Sequence, residues 1–234
     1  MMLELRQISS AYGAVQVLHG ISFTLAAGEI LGLMGRNGAG KTTVLKTIMG
    51  LVPQRSGSLS LAGEEISHLP PHAIPARGIA YVPQGRRLFS ELTVAENLRM
   101  GLLVNNAPQS DAEPVLDLFP ILRERLTQAS GTLSGGEQQM LAVARALCAK
   151  PKVLLLDEPS EGLFPAITHR ILDTVAQLRR SGVAILLVEQ QVKSALRVCD
   201  RILLIENGAI QHDAAARELA ADPVPLERYI GVHR

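Results

Sequence analysis

The chain has 234 residues, 47% of them hydrophobic, and a formal net charge of +1, which provides apolar material for one substantial core or a core with a smaller appended lobe. Near-neutrality and the lack of a lysine or arginine block exclude broad electrostatic attraction to nucleic acid. Cys148 and Cys199 form no closely spaced ligand cluster and are expected as reduced thiols, Met1 to Arg6 does not read as a secretion signal, and no charge-free run reaches the length of a membrane-spanning helix.

Leu3 to Ile8 and Ile21 to Leu25 alternate apolar and polar residues and predict strands of an N-terminal β-rich portion. Tyr12-Gly13 lies between them, with the ring either over a nucleotide base or on a surface turn. The apolar run Ile30 to Met34 predicts a core strand, and Thr43 to Met49 the helix that follows. Between them stands Gly35-Arg36-Asn37-Gly38-Ala39-Gly40-Lys41-Thr42, in the strand, loop and helix context of a phosphate-binding loop. Small residues let successive backbone N–H groups turn toward phosphate oxygens, and the helix start adds unpaired donors and a favourable field. Lys41 supplies a movable positive charge, and Thr42 a hydroxyl for a magnesium ion bridging the phosphates. The alternative is a glycine-rich turn; three glycines, a lysine and a hydroxyl at these offsets favour nucleoside triphosphate binding.

Further along, Leu51 to Gly57 is rich in turn residues, Ser58 to Ala62 predicts a short strand, and Pro70-Pro71 argues against a long helix. Gly78 to Val82 predicts a core strand with Gln84 just beyond its end. Leu88 to Leu133 reads as mostly helical, with helix caps expected at Thr93–Glu96 and Ser110–Glu113. Leu133-Ser134-Gly135-Gly136-Glu137 opens another helix: Ser134 and Glu137 have the spacing of a capping box, which leaves two exposed glycines without a purpose.

Val153 to Asp157 predicts a buried strand that delivers Asp157 and Glu158 to its C-terminal edge, where ligands bind in α/β proteins. Asp157 is suited to magnesium and Glu158 to orienting or deprotonating water. Ile167 to Leu178 carries helical spacing, Val183 to Val188 and Ile202 to Ile205 read as strands, Asn207-Gly208 as a hairpin turn, and Ala214 to Ala221 as a short helix before a tail. The alternation predicts a three-layer α/β core with an inserted helical lobe.

With these residues placed, the sequence resembles the ATP-binding cassette (ABC) ATPases of transport systems from Leu3 to about Ile210. Gly35 to Thr42 matches the family's phosphate loop, Val153 to Asp157 its magnesium-binding strand, and Leu133 to Glu137 its signature. The resemblance implies a P-loop nucleotide hydrolase fold, a single ATPase domain over residues 1–234 with a helical subdomain at approximately 88–145, and ATP and Mg2+ as ligands. It assigns Tyr12 to adenine stacking, Gly35 to Lys41, Thr42 and Thr43 to the phosphates, and Thr42, Gln84 and Asp157 to magnesium. It makes Glu158 the general base or water-positioning group, alongside Lys41, Gln84 and Gln190. Ser134, Gly135, Gly136 and Glu137 would reach ATP held by the other copy of a head-to-tail dimer.

Two positions depart from the family pattern. Gln190 replaces a histidine, so a hydrogen-bonding amide stands where an imidazolium could form. The aspartate expected after the catalytic carboxylates is absent, because Ser160-Glu161-Gly162-Leu163 leads to Phe164. Together with Tyr81 to Phe89, these features resemble the short LivF-type ATPases of branched-chain amino acid importers, with urea or short-chain amide importer ATPases the close alternative. The resemblance implies a second, related but nonidentical ATPase subunit, two transmembrane permease subunits and, indirectly, an extracellular solute-binding protein, at the cytoplasmic face of the inner or plasma membrane. Arg86 and Arg87 could contact a permease helix or face solvent. A nonhydrolytic ATP-dependent assembly module is the rival class.

Overall fold

The central strands are almost uninterrupted runs of aliphatic residues, as a sheet covered on both faces requires. In the computed structural model, which describes residues 1–231, these are β3 (Ile30–Met34), β7 (Val153–Asp157) and β8 (Ala184–Val188), buried at every position. They lie in a six-stranded sheet with β6 (Ile79–Val82), β9 (Arg201–Glu206) and β10 (Ala209–Ala215), in the order β10-β9-β3-β8-β7-β6. All pairings are parallel except the β9–β10 hairpin, which turns at Asn207-Gly208 as the sequence predicts. A second, antiparallel sheet holds β1 (Leu3–Tyr12), β2 (Val15–Leu25), β4 (Gln54–Leu61) and β5 (Glu64–Glu65) in the order β2-β1-β4-β5.

Alternation within the central strands divides the core into two compartments. Leu31, Leu33, Val153, Leu155 and Leu186 face the antiparallel sheet, with α1 (Lys41–Ile48) packed in the same compartment. Ile30, Met34, Leu154, Leu156, Ile185 and Leu187 face the opposite compartment. That compartment is built with α2 (Val94–Leu102), α3 (Glu113–Leu118), α4 (Pro120–Arg123), α5 (Gly135–Cys148), α6 (Pro165–Leu178) and α7 (Val192–Val198). Cys148 and Cys199 are free and buried there, and burial raises both thiol pKa values, to about 12 for Cys148.

Between residues 88 and 152 the described chain forms helices and turns, with one isolated bridge between Thr93 and Ala129. The capping box at Thr93–Glu96 forms as predicted. The one expected at Ser110–Glu113 does not: Pro108 starts a 3-10 turn over Gln109–Ala112, and α3 begins behind Ala112 without a side-chain cap. Asp111, within that turn, pairs with Lys150 at 2.7 Å. Three further departures are local. β4 reaches back to Gln54 through residues expected as a turn, because that stretch pairs with β1 as far as Ser10. The helices α7 and α9 (Val224–Ile230) were not anticipated, and the predicted Ala-rich helix is α8 (Ala216–Ala221). No helix of the described residues is long and apolar enough to cross a membrane.

Candidate active site

The C-terminal ends of β3, β7 and β8 open on one cavity of about 320 Å3, lined by Val17, Asn37, Gly38, Gly40, Lys41, Thr42, Thr43, Gln84, Glu158, Glu161 and Gln190. Gly35, Arg36 and Ala39 complete the loop behind these residues. The loop enters α1 through Gly40, whose φ of 108° is a conformation open to glycine, and no side chain caps the helix. Its first N–H groups are therefore left for a ligand, the arrangement that binds phosphate. Lys41 is 5% exposed, and its Nζ donates to the carbonyls of Gly35 at 2.9 Å and Arg36 at 3.1 Å. Burial lowers its pKa, against the opposing pull of Glu158 and Asp157.

Beneath the loop, Thr42 Oγ1 donates to Asp157 Oδ1 at 3.1 Å, and the Tyr81 hydroxyl donates to Asp157 Oδ2 at 3.0 Å. Burial raises the Asp157 pKa despite these donors, and burial beside Asp157 raises that of Tyr81. Tyr81 was not singled out in the sequence; its signal was the only polar-tipped aromatic in an apolar strand, three positions before Gln84. Among the described residues no three His, Cys, Asp or Glu side chains gather at a metal-binding spacing. One hydroxyl and one carboxylate in contact fit magnesium, which takes few protein ligands and completes its shell with phosphate oxygens and water.

Glu158 follows β7 with a φ of 50°, and its carboxylate is 8% exposed. Oε1 lies 3.9 Å from Lys41 Nζ. Oε2 accepts from Gln190 Nε2 at 2.6 Å and Gln84 Nε2 at 3.3 Å. The predicted catalytic residues Lys41, Gln84, Glu158 and Gln190 thus converge within one chain. Glu161, to which no role was given, joins them through Gln84. Behind Gln190 sits Glu189, 1% exposed, with Oε1 unpartnered.

Tyr12 is at the end of β1, 47% exposed, and is not among the cavity-lining residues; the N-terminal sheet contributes Val17 instead. The Ser134 to Glu137 group also lies outside this cavity. Its capping box is present, with the Ser134 N–H donating to Glu137 Oε2 at 2.8 Å. The expectation of two exposed glycines is corrected: Gly136 is buried and Gly135 half-buried. A Cβ on Gly136 would come within 2.6 Å of Ile167 Cγ2, and one on Gly135 within 2.9 Å of an Arg86 guanidinium nitrogen. Packing inside the chain therefore already requires a small residue at Gly136, whereas at Gly135 the Arg86 side chain could swing aside. Arg86 also donates to Gln138 Oε1 at 3.2 Å, so it is held against α5.

A glycine-rich loop after β3 with a buried lysine, a hydroxyl–carboxylate pair and a carboxylate at the end of β7, a parallel strand one removed in the same sheet, defines a nucleotide-hydrolysing P-loop protein. The particular family follows from its relatives. Residues 18–161 match the ABC transporter family. The chain is 48% identical over 233 residues to a high-affinity branched-chain amino acid transport ATP-binding protein, BraG, of Pseudomonas aeruginosa, covering 98% of this chain and 100% of that one. It is 40% identical over 221 residues to a probable branched-chain amino acid transport ATP-binding protein, LivF, of Archaeoglobus fulgidus, covering 93% and 94%. The ADP conformation of an ATP-binding cassette of an ABC transporter superposes with a TM-score of 0.88 at 26% identity over 99% of each chain. The chain belongs to the ABC transporter family and is an ATP-binding, ATP-hydrolysing subunit.

Proposed function

We propose that this chain hydrolyses the β–γ phosphoanhydride of ATP to power import of a branched-chain amino acid or a similar small solute through separate membrane subunits. The observation that carries the reading is the convergence of Lys41, Gln84, Glu158 and Gln190 on the phosphate-loop cavity; the BraG and LivF relatives supply the cargo class.

Lys41 exchanges its loop carbonyls for phosphate oxygens, and the open start of α1 holds the remaining phosphate charge. Thr42, Asp157 and Gln84 would hold magnesium, which would supply positive charge against the charge developing on the phosphates. Glu158 orients the attacking water and accepts its proton. Gln190 offers an amide to the water or γ-phosphate and brings no titratable charge. Tyr12 would have to move over the base from its exposed position at the end of β1.

The Ser134 helix start supplies donors to ATP held by a second, related ATPase subunit, closing two composite sites. The strand-free segment at about residues 88–145 acts as a helical subdomain within one ATPase domain spanning 1–234. Near Gln84 a groove of about 570 Å3, lined in part by Leu51, Pro83, Arg87, Phe89, Met100 and Arg145, suits a permease helix. Leu51 and Phe89, 55% and 48% exposed, would be covered by such a partner. Of the pair Arg86 and Arg87, it is Arg87 that lines this groove, together with Arg145. The chain would then sit at the cytoplasmic face of the membrane, with a solute-binding protein acting from the other side.

The test is phosphate release by the assembled transporter carrying Glu158→Gln. The variant is expected to bind ATP and lose most turnover, because the amide keeps the shape without accepting a proton. Equal turnover in matched preparations would overturn the role of Glu158. Reconstitution with the permease and binding protein, followed by uptake of labelled leucine or urea, separates the two cargo classes.

A further inference from the structure

The turn after β7 carries a third acidic residue, which neither the phosphate loop nor the hydrolytic carboxylate accounts for. Glu161 is exposed on the cavity rim, and its backbone N–H donates to the Glu158 carbonyl at 3.1 Å, which ties its place to that of Glu158. Its Oε2 accepts from Gln84 Nε2 at 2.9 Å, whereas Glu158 Oε2 accepts from the same nitrogen at 3.3 Å. The Glu158 oxygen is also shared with Gln190, at 2.6 Å. Glu161 is thus the closer and less divided of the two acceptors.

A primary amide has two N–H donors and one carbonyl acceptor. With Nε2 between two carboxylates, Gln84 has only Oε1 to offer a cation or water, and rotating the amide by half a turn would set that oxygen against two negative oxygens. We propose that Glu161 is a positioning residue for the ATPase: it fixes the orientation of the Gln84 amide, nitrogen toward the carboxylates and oxygen free to face magnesium. This rests on the reading of Gln84 as a magnesium-facing group. Removing Glu161 leaves the amide held by the longer, shared bond, and the flipped orientation becomes accessible.

Two readouts test this. In nucleotide-free protein labelled with 15N-glutamine, the Gln84 side-chain amide is assigned by its loss in Gln84→Glu. Glu161→Ala is expected to move its proton resonances upfield, with a smaller movement in Glu161→Gln, which retains an oxygen acceptor. In the second, a fluorescent ATP analogue is titrated against magnesium, each variant being referred to its own affinity without magnesium: Glu161→Ala should raise the half-saturating magnesium concentration several-fold, and Glu161→Gln should fall between. Unmoved Gln84 resonances in a folded Glu161→Ala variant would overturn the proposal, as would a shifted amide with unchanged magnesium dependence. Failure of the wild type to bind the analogue would sink the functional reading itself, and it is distinguishable because the amide measurement needs no nucleotide.

Discussion

Two helices of this chain begin with small residues, and their starts are built in opposite ways. At α1, Gly40 caps the helix with no side-chain acceptor, no acidic residue stands in the first turn, and the buried Lys41 points its charge back into the loop. At α5, the Ser134 hydroxyl accepts from the Glu137 N–H, the Glu137 carboxylate accepts from the Ser134 N–H, and Arg125 lies 3.0 Å from that carboxylate. The first start leaves donors and a positive charge for an anion, whereas the second is already satisfied within its own chain and carries its own negative charge. Triphosphate affinity in the isolated chain should therefore reside at α1, and α5 should contribute once a partner presents a phosphate to it.

The largest expected effect breaks the comparison at α1. Lys41→Ala should weaken binding of a fluorescent ATP analogue about 100-fold, since hydrogen bonds to a charged group contribute roughly 1.5–3 kcal/mol each. Ser134→Ala should leave the isolated chain's affinity within about twofold, because its hydroxyl is occupied by the helix it caps. Titration of both variants under matched magnesium checks this; a comparable loss in the two would dissolve the distinction.

Next is the packing of the α5 start. Because an added Cβ at Gly136 meets Ile167 Cγ2 at 2.6 Å, Gly136→Ala should destabilise the isolated chain by about 1–3 kcal/mol, the usual cost of overpacking. Combining it with Ile167→Ala should recover part of the loss. Urea unfolding of the two single variants and the double variant measures the coupling. A smaller effect follows at the cap: Ser134→Ala should cost about 1 kcal/mol of stability in the same assay. Gly40 has no side-chain cap whose loss could be its counterpart.

What could be read from the sequence depended on how far apart the participants lie. The phosphate loop, the Ser134–Glu137 box and the Asp157-Glu158 strand end are each contiguous, and their backbone consequences are local. The departures involve long separations or competition for the same residues. Tyr81 reaches Asp157 because β6 and β7 are paired in parallel, and Gln84 reaches Glu161 across 77 positions. Ser110–Glu113 had the residues of a cap, but Pro108 had already started a tighter turn over Gln109–Ala112, which takes Ser110 into its interior. The glycines of α5 seemed to need a partner chain to explain them because Ile167, supplied by another helix, could not be placed against Gly136 by pattern alone.

The smallest effect concerns the buried acid behind the site and sharpens the comparison from the other side: Lys41 is a buried charge with several partners, Glu189 one with an unpartnered oxygen. Burial raises the Glu189 pKa above its ordinary value of 4.5, and the Gln190 N–H, which donates to Oε2 at 3.2 Å, opposes it only in part. A carboxyl raised on folding contributes stability that is fully present below the unfolded pKa and is lost as pH rises through the folded one. Wild-type stability should therefore decline from about pH 4.5 upward through this group. Glu189→Gln, similar in shape to the protonated acid, cannot make that transition, so it should exceed the wild type by up to about 1 kcal/mol at pH 8, within the range of single substitutions. Unfolding midpoints at pH 5 and pH 8 should show that advantage shrinking at the lower pH; a pH-independent difference would mean that Glu189 is already ionised in the fold and that its unpartnered oxygen is tolerated.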